Sequence, residues 1–283
     1  MSVIKAGYLI AYDYEFVKNS LPRVYDHVSE IIFAVDIDRK TWSGVDFVIP
    51  DEFWDWVSAF DTGDKITIYQ DNFYIPELSQ INCDTRERNM LAEKMGQCDW
   101  YIQIDSDEYF VDFGAFVQKL ENYKPTEPTT VKCTVAALYK QVSSGFLVVN
   151  KSTETLCFAT NNPVYDMARD NTSGNKYVYW DDLVLHQSWA RNPEEIKLKL
   201  RSWGHSPDFD IESYYNLWNA VDEFNCYCLR NFHPFTPEMW PELLAVKGTI
   251  DEILNSPEIR AVVSLPPVKK KGLLSRTWKQ IRG

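Results

Sequence analysis

The run Trp100-Tyr101-Ile102-Gln103-Ile104 ends on Asp105-Ser106-Asp107, and no other junction in the chain constrains the fold as much. A short run of Tyr and Ile bounded by charge predicts a buried strand in the middle of an α/β sheet, whose carboxyl end is where such folds bind ligands. Alternate residues of a strand share a face, so Asp105 and Asp107 would aim their oxygens at one hard cation. Acidic pairs at strand ends are commonly no more than solvated turn residues. Here Glu108 follows directly, and three carboxylates in four positions repel one another unless a cation or strong hydrogen bonds offset them.

Around this junction the pattern alternates. Strands are predicted at 6–12, 30–36, 65–69 and 100–104, with helices at 15–24 and 84–95. Gly96 stops the second helix, and Asp112 caps another through Phe116, Leu120 and Tyr123, which Pro125 and Pro128 end. Segments 131–139, 145–149, 155–159 and 176–185 alternate apolar and polar residues as antiparallel strands do. In Asn192-Pro193-Glu194-Glu195, Asn caps a helix, Pro sits in its first turn and the Glu pair faces the positive dipole end. Asp210 and Glu212 start a helix whose Tyr214, Tyr215, Leu217, Trp218 and Val221 read as a packing stripe, and 236–263 as a last small helical layer.

The stretch Asp84-Thr85-Arg86-Glu87-Arg88-Asn89 opens the helix that ends at Gly96, and Asp99 through Glu108 follows. This order resembles the family 2 type of glycosyltransferase with the GT-A fold, in which an Arg-Asn helix leads into a strand carrying the DxD motif. Downstream, Leu183-Val184-Leu185-His186-Gln187-Ser188-Trp189 and a helix ending near Trp203-Gly204-His205-Ser206 resemble the segment where such enzymes present a late histidine to the metal. Nearer the start, Leu9-Ile10-Ala11-Tyr12-Asp13-Tyr14-Glu15 takes the place of a Tyr-Asn-Glu-like turn, with Asp for Asn. Glu30 through Asp38 resembles the second strand without its usual Gly-Ser-Thr continuation.

The resemblance implies an α/β fold with a mixed central sheet flanked by helices. It also implies a nucleoside diphosphate sugar as donor, a glycan or lipid-linked acceptor, a Mn²⁺ or Mg²⁺ ion, and inversion. It places the metal at Asp105, Asp107 and His186, and nucleotide contacts at Asp13, Asp36, Arg88 and Asp105. A lone strand-end histidine is ordinarily structural, and the resemblance is what makes His186 a ligand. Arg86 and Arg88 do not share a helix face, so one of them, Arg88, addresses the diphosphate, while Asn89 ties the helix to the DxD loop. His205 touches the diphosphate or only caps a loop. An inverting transfer needs a carboxylate base, and the candidates are Asp181 and Asp182, then Asp166 and Asp170. Alternation puts Asp182, Val184 and His186 on one face, which favours Asp182; Asp181 points away unless a bulge intervenes.

The 283 residues carry a formal net charge of -12, which argues against a nucleic-acid groove, since phosphate backbones demand clustered Lys and Arg. A nucleotidyltransferase would need a glycine-rich, basic phosphate loop near the first strand, and none stands there. A phosphatase of the DxDx(T/V) kind is disfavoured by Tyr109. A non-catalytic carbohydrate-binding protein on the same fold is the other alternative. Ten Trp and 16 Tyr suit either stacking platforms or an aromatic-rich core.

Residues 1–265 read as one catalytic unit, helical over 206–265, followed by a basic tail at 266–283. That tail interleaves Leu273, Leu274, Trp278 and Ile281 with Lys and Arg and would suit an anionic membrane surface, at roughly 1 kcal/mol per basic residue. The chain has no long apolar run and no export signal, and its six cysteines lack metal-finger spacing, so the expectation is a cytoplasmic protein, peripheral at the inner face of a membrane.

Overall fold

The computed structural model describes residues 2–202, 209–260 and 262. Strands β1 (Ile4–Leu9), β2 (Glu30–Asp36), β3 (Ile66–Asp71) and β4 (Trp100–Asp105) form a parallel block in the order β3-β2-β1-β4. Alternation along these strands feeds two cores. Ile31, Phe33 and Val35 of β2 face helices α1 (Val17–Val24), α2 (Asp51–Phe60) and α4 (Phe113–Asn122), while Ile32 and Ala34 face α3 (Gln80–Met95). At Gly7 the strand touches α3 so closely that a Cβ would stand 2.8 Å from a Leu91 methyl. Truncating fully buried Leu91 to Ala would cost about 2–5 kcal/mol.

The remainder of the sheet is mainly antiparallel. A short β5 (Glu108–Phe110) follows the DxD turn, then β6 (Thr129–Val142), β7 (Gly145–Asn150), β8 (Thr155–Thr160), β9 (Lys176–His186) and β10 (Glu242–Lys247). The order is β10-β7-β6-β8-β4-β1-β2-β3, with β9 on β6 and β5 on β9, so one sheet of ten strands has helices on its faces. This is the α/β architecture with a mixed central sheet that the sequence predicts.

Several elements differ from expectation. Helix α2 and strand β5 are additional, and β1 ends at Leu9, leaving Tyr12 and Asp13 in the turn that follows. Strand β9 runs parallel to β6, because the long connection over 161–175 carries the chain back. The last layer is not wholly helical. Strand β10 pairs antiparallel with β7, and α7 (Ile250–Asn255), started by a Thr249–Glu252 capping box, and α8 (Pro257–Arg260) follow. Helix α5 (Pro193–Ser202) starts as predicted, with Asn192 and Glu195 exchanging side-chain to backbone hydrogen bonds of 2.9 Å. The aromatic face of α6 (Ile211–Ala220) packs Tyr214 and Trp218 into a core with Trp189 and Trp240. His205 and the tail 266–283 lie outside the described residues. No helix among the described residues is long and apolar enough to cross a membrane.

Candidate functional site

The DxD turn is stitched to three strand ends. Ser106 Oγ donates 2.8 Å to the carbonyl of Leu9 at the end of β1. The backbone N–H of Gln187 donates 2.8 Å to the Asp107 carbonyl, and Glu108 pairs with His186 across β5 and β9. These contacts bring the turn after β1, the end of β4 and the end of β9 to one place. Asp13, Asp107 and His186 meet there.

The common partner of Asp13 and Asp107 is Arg191, in the loop between β9 and α5. Its Nη2 donates to Asp13 at 3.0 Å and to Asp107 at 2.5 Å, and its Nε donates 3.2 Å to the Gln187 carbonyl. The guanidinium lies 4.8 Å over the Phe16 ring and 5.7 Å over Tyr12, a cation–π seat. His186 Nε2 stands 3.4 Å from the other oxygen of Asp107. Burial opposes the charge on Asp107, but His186 and Arg191 outweigh it and hold the carboxyl well below its usual 3.8. The reciprocal effect raises His186: burial would lower it, and the Asp107 charge prevails. Asp13 is raised because burial exceeds the pull of Arg191. Lys199 of α5 joins the same field, its ammonium lowered to about 8 by burial and then by Arg191.

The second member of the DxD motif and the first are handled differently. Arg88 on α3 donates through Nη2 to both oxygens of Asp105, at 2.9 and 3.1 Å, and through Nε to Asp84 at 2.6 Å. Burial opposes the Asp105 charge, yet Arg88 and Arg169 lower its carboxyl. Glu108, the third carboxylate of the crowd, is fully buried and carries Arg169 on both oxygens, one of them at 2.7 Å. Of the expected metal group Asp105, Asp107 and His186, Asp107 and His186 face each other at 3.4 Å, whereas both oxygens of Asp105 accept from Arg88. Among the described residues no three His, Cys, Asp or Glu side chains gather as a metal group.

Other expected contacts fall elsewhere. Asp36 accepts backbone N–H groups of Asp38, Lys40, Phe73 and Tyr74 at 2.9–3.0 Å, so its acceptor sites organise the loops after β2 and β3 and are not open to a nucleotide. A bulge in the β6–β9 register falls at Asp181 and Asp182, and both pair with Lys119 of α4, at 3.1 and 2.9 Å. Four residues of strand, about 13 Å, separate Asp182 from His186, so neither joins the cluster as a base. Asp166 closes its own turn through Thr172 and Ser173, and Asp170 pairs with Lys132. Asn89 ties α3 to Tyr165 by two backbone hydrogen bonds of 3.0 Å, not to the DxD loop.

Four residues of the site escaped the sequence. Arg191, Arg169 and Lys199 are cations placed by loops and a helix face remote from the motif. Glu154, before β8, lies within electrostatic reach of His186 and Lys199; burial raises its carboxyl, and Trp240 Nε1 donates to it at 3.1 Å. Two signals were present for Arg191 and Lys199. Arg191 directly precedes the Asn192 cap, and Lys199 stands three residues after the buried Ile196, on the inward side of α5. One further feature concerns both guanidiniums: Nη1 of Arg88 and Nη1 of Arg191 are buried without a partner.

No family model matches the chain, and no curated protein does. Among solved structures, the mannosyltransferase PcManGT from Pyrobaculum calidifontis, in complex with GDP-Man and Mn²⁺, is similar at 10% identity and a TM-score of 0.43, over 76% of this chain and 70% of that one. A candidate glucose-1-phosphate thymidylyltransferase from Bacillus anthracis, in complex with a sucrose, gives 10% identity and a TM-score of 0.41 over 74% and 97%. TarS of S. aureus gives 13% identity and a TM-score of 0.30 over 48% of this chain and 22% of its own. At such scores and identities these likenesses assign neither a family nor an activity.

Proposed function

We propose that the protein is a glycosyltransferase of the GT-A kind, moving a sugar from a nucleoside diphosphate sugar to a hydroxyl of a glycan or lipid-linked acceptor. The observation that carries this is a pair of buried guanidiniums, each with an unpartnered N–H, at the carboxyl ends of β1 and β4: Arg88 on Asp105, and Arg191 on Asp13 and on Asp107, which faces His186. Buried donors without partners are rare in folded proteins, and in α/β sheets this crevice is the ligand site. An anionic ligand answers both. The DxD turn and the late histidine, already alike in sequence to such transferases, supply the chemistry.

Asp107 and His186 are the residues that would hold Mn²⁺ or Mg²⁺. A carboxylate oxygen and an imidazole nitrogen facing each other from paired strands are a suitable donor set, and such ions take only one or two protein ligands where substrate phosphates supply the others. When bound, the ion would stabilise negative charge on the departing diphosphate as a Lewis acid. Asp105, whose oxygens serve Arg88, positions that arginine. Asp13 does the same for Arg191. The base is reassigned to Glu154, the half-buried carboxylate that shares the electrostatic field of His186, with a pKa raised toward working pH. Glu154→Gln is expected to lower kcat while leaving donor binding intact; equal loss of donor binding would show a structural role.

The deciding experiment is a thermal-shift panel of nucleoside diphosphates and their sugars, with and without Mn²⁺. A ligand at ~100 times its dissociation constant adds roughly 2.7 kcal/mol of stability. Stabilisation by one nucleotide family supports the proposal and names the donor base; none from any member overturns it. Pyrophosphate release from a nucleoside triphosphate and a sugar 1-phosphate would make the protein a nucleotidyltransferase. The proposal takes residues 1–265 as the catalytic unit and the basic tail as a contact with anionic lipid. Deletion after Pro267 should then lower binding to anionic vesicles and spare turnover of a soluble acceptor.

A further inference from the structure

We infer that Arg191 and Lys199 form a phosphate-binding face, adjoining the Asp107–His186 pair through the Arg191–Asp107 bond, that takes the diphosphate without a metal. This deepens the nucleotide-sugar reading and rests on it for the identity of the ligand. Arg191 is 5% exposed, its Nε and Nη2 are engaged by Gln187, Asp13 and Asp107, and its Nη1 has no partner. A guanidinium has five N–H donors in a rigid fork that matches phosphate, and a buried one left open calls for an acceptor. Asp13 and Asp107 fix the plane of that fork, so the arginine is positioned before any ligand arrives.

Lys199 supplies the second charge. Its ammonium lies in electrostatic reach of Asp13, Asp105, Asp107, Glu154 and His186 as well as Arg191. Yet among the described residues it forms no ion pair within 4.0 Å. The nearby carboxylates offset part of both charges, but they leave Arg191 Nη1 without an acceptor and Lys199 without a direct ion pair, so an anion placed there would find donors from both. Arg88 also has an open Nη1 and, like Arg191, two carboxylates at hydrogen-bond distance, but its cationic neighbour is Arg169, which Glu108 already pairs. It lacks a free ammonium beside it.

The test is calorimetric titration of inorganic pyrophosphate, then of UDP and GDP, into the full chain in EDTA. Wild type is expected to bind pyrophosphate, and Lys199→Gln and Arg191→Gln each to weaken it about tenfold or more, as loss of a charge-assisted bond requires. Arg191→Lys should recover part of the loss, and Mn²⁺ affinity measured without phosphate should not fall in Lys199→Gln. If Arg191→Gln does not fold, Lys199→Gln at a half-buried position decides. Absent pyrophosphate binding by wild type in EDTA, or binding unchanged in folded variants, overturns the inference. A nucleoside diphosphate bound selectively and equally by wild type and both variants would sink the phosphate face while sparing the nucleotide-sugar reading. Pyrophosphate bound through both residues, with no gain from any nucleoside, would support the face and count against that reading.

Discussion

Two groups of carboxylates around a cation sit on this sheet, and they differ in what surrounds them. Asp13 and Asp107 meet Arg191 where the guanidinium side chain is 1% exposed. Asp181 and Asp182 meet Lys119 where the ammonium side chain is 44% and Asp181 96% exposed. Water screens Lys119 and Asp181, though not the Asp182 side chain, which is 7% exposed, and ion pairs to so open a cation contribute little. The first keeps buried charge only because each carboxylate has a cationic partner, so removing one member leaves another uncompensated. Acidity along the chain therefore does not by itself distinguish the two groups; burial and the unpartnered Nη1 of Arg191 do.

The largest expected effect comes from breaking the buried group at its centre. Asp107→Ala should abolish donor turnover and lower the free energy of unfolding by about 3 kcal/mol, since Arg191 keeps only Asp13. Denaturant unfolding and a turnover assay on one preparation measure both, and retained turnover would remove Asp107 from the chemistry. Next, His186→Ala should weaken Mn²⁺ binding in the presence of donor about tenfold or more. An unchanged Mn²⁺ titration would make His186 a structural residue of the β9 end.

Much of this architecture was legible because local signals agreed with the fold. The apolar runs of β2 and β4 are buried on both faces, and the Asn192-Pro193-Glu194-Glu195 cap forms as written. Strand β10 was not legible, because its buried positions, Leu243 and Val246, are three apart, and its pairing partner β7 lies some ninety residues earlier. The sequence pointed to Asp107 and His186, which the structure sets 3.4 Å apart, but not to the arginine that pairs with Asp107. The Asn192 cap and the spacing from Ile196 place Arg191 and Lys199 at α5, but which carboxylates they meet is settled only when α5 packs against the rest of the fold. Asp36 shows the converse. The resemblance of its strand to a known family implied a ligand contact, whereas four backbone N–H groups from two loops occupy its oxygens.

Acid titration sharpens the contrast between the two groups through the direction of each shift. Asp107 titrates in the folded protein well below 3.8, so its contribution to stability is complete above that value and is lost as pH falls through the lower folded one. Asp182 is raised, burial exceeding the pull of Lys119, so its ionisation favours the unfolded chain and stability falls as pH rises through its range. The stability gap between wild type and Asp107→Asn should therefore close on acidification below about pH 4. Asp182→Asn should match or exceed wild type above that range; a clear loss there would mean that the Lys119 pair outweighs burial.

The smallest expected effect is that of Lys119→Ala. Screened by water and shared between two carboxylates, one of them almost fully exposed, this lysine should contribute under about 1 kcal/mol, and its removal should leave kcat and donor affinity unchanged. A drop in kcat with unaltered stability would return Asp182 to the candidates for the base, since releasing its counter-ion would then have changed the chemistry and not the fold. Parallel assays of Lys119→Ala and Glu154→Gln with the same acceptor separate the two carboxylates directly, because only the group that takes the acceptor proton can alter kcat without altering donor affinity.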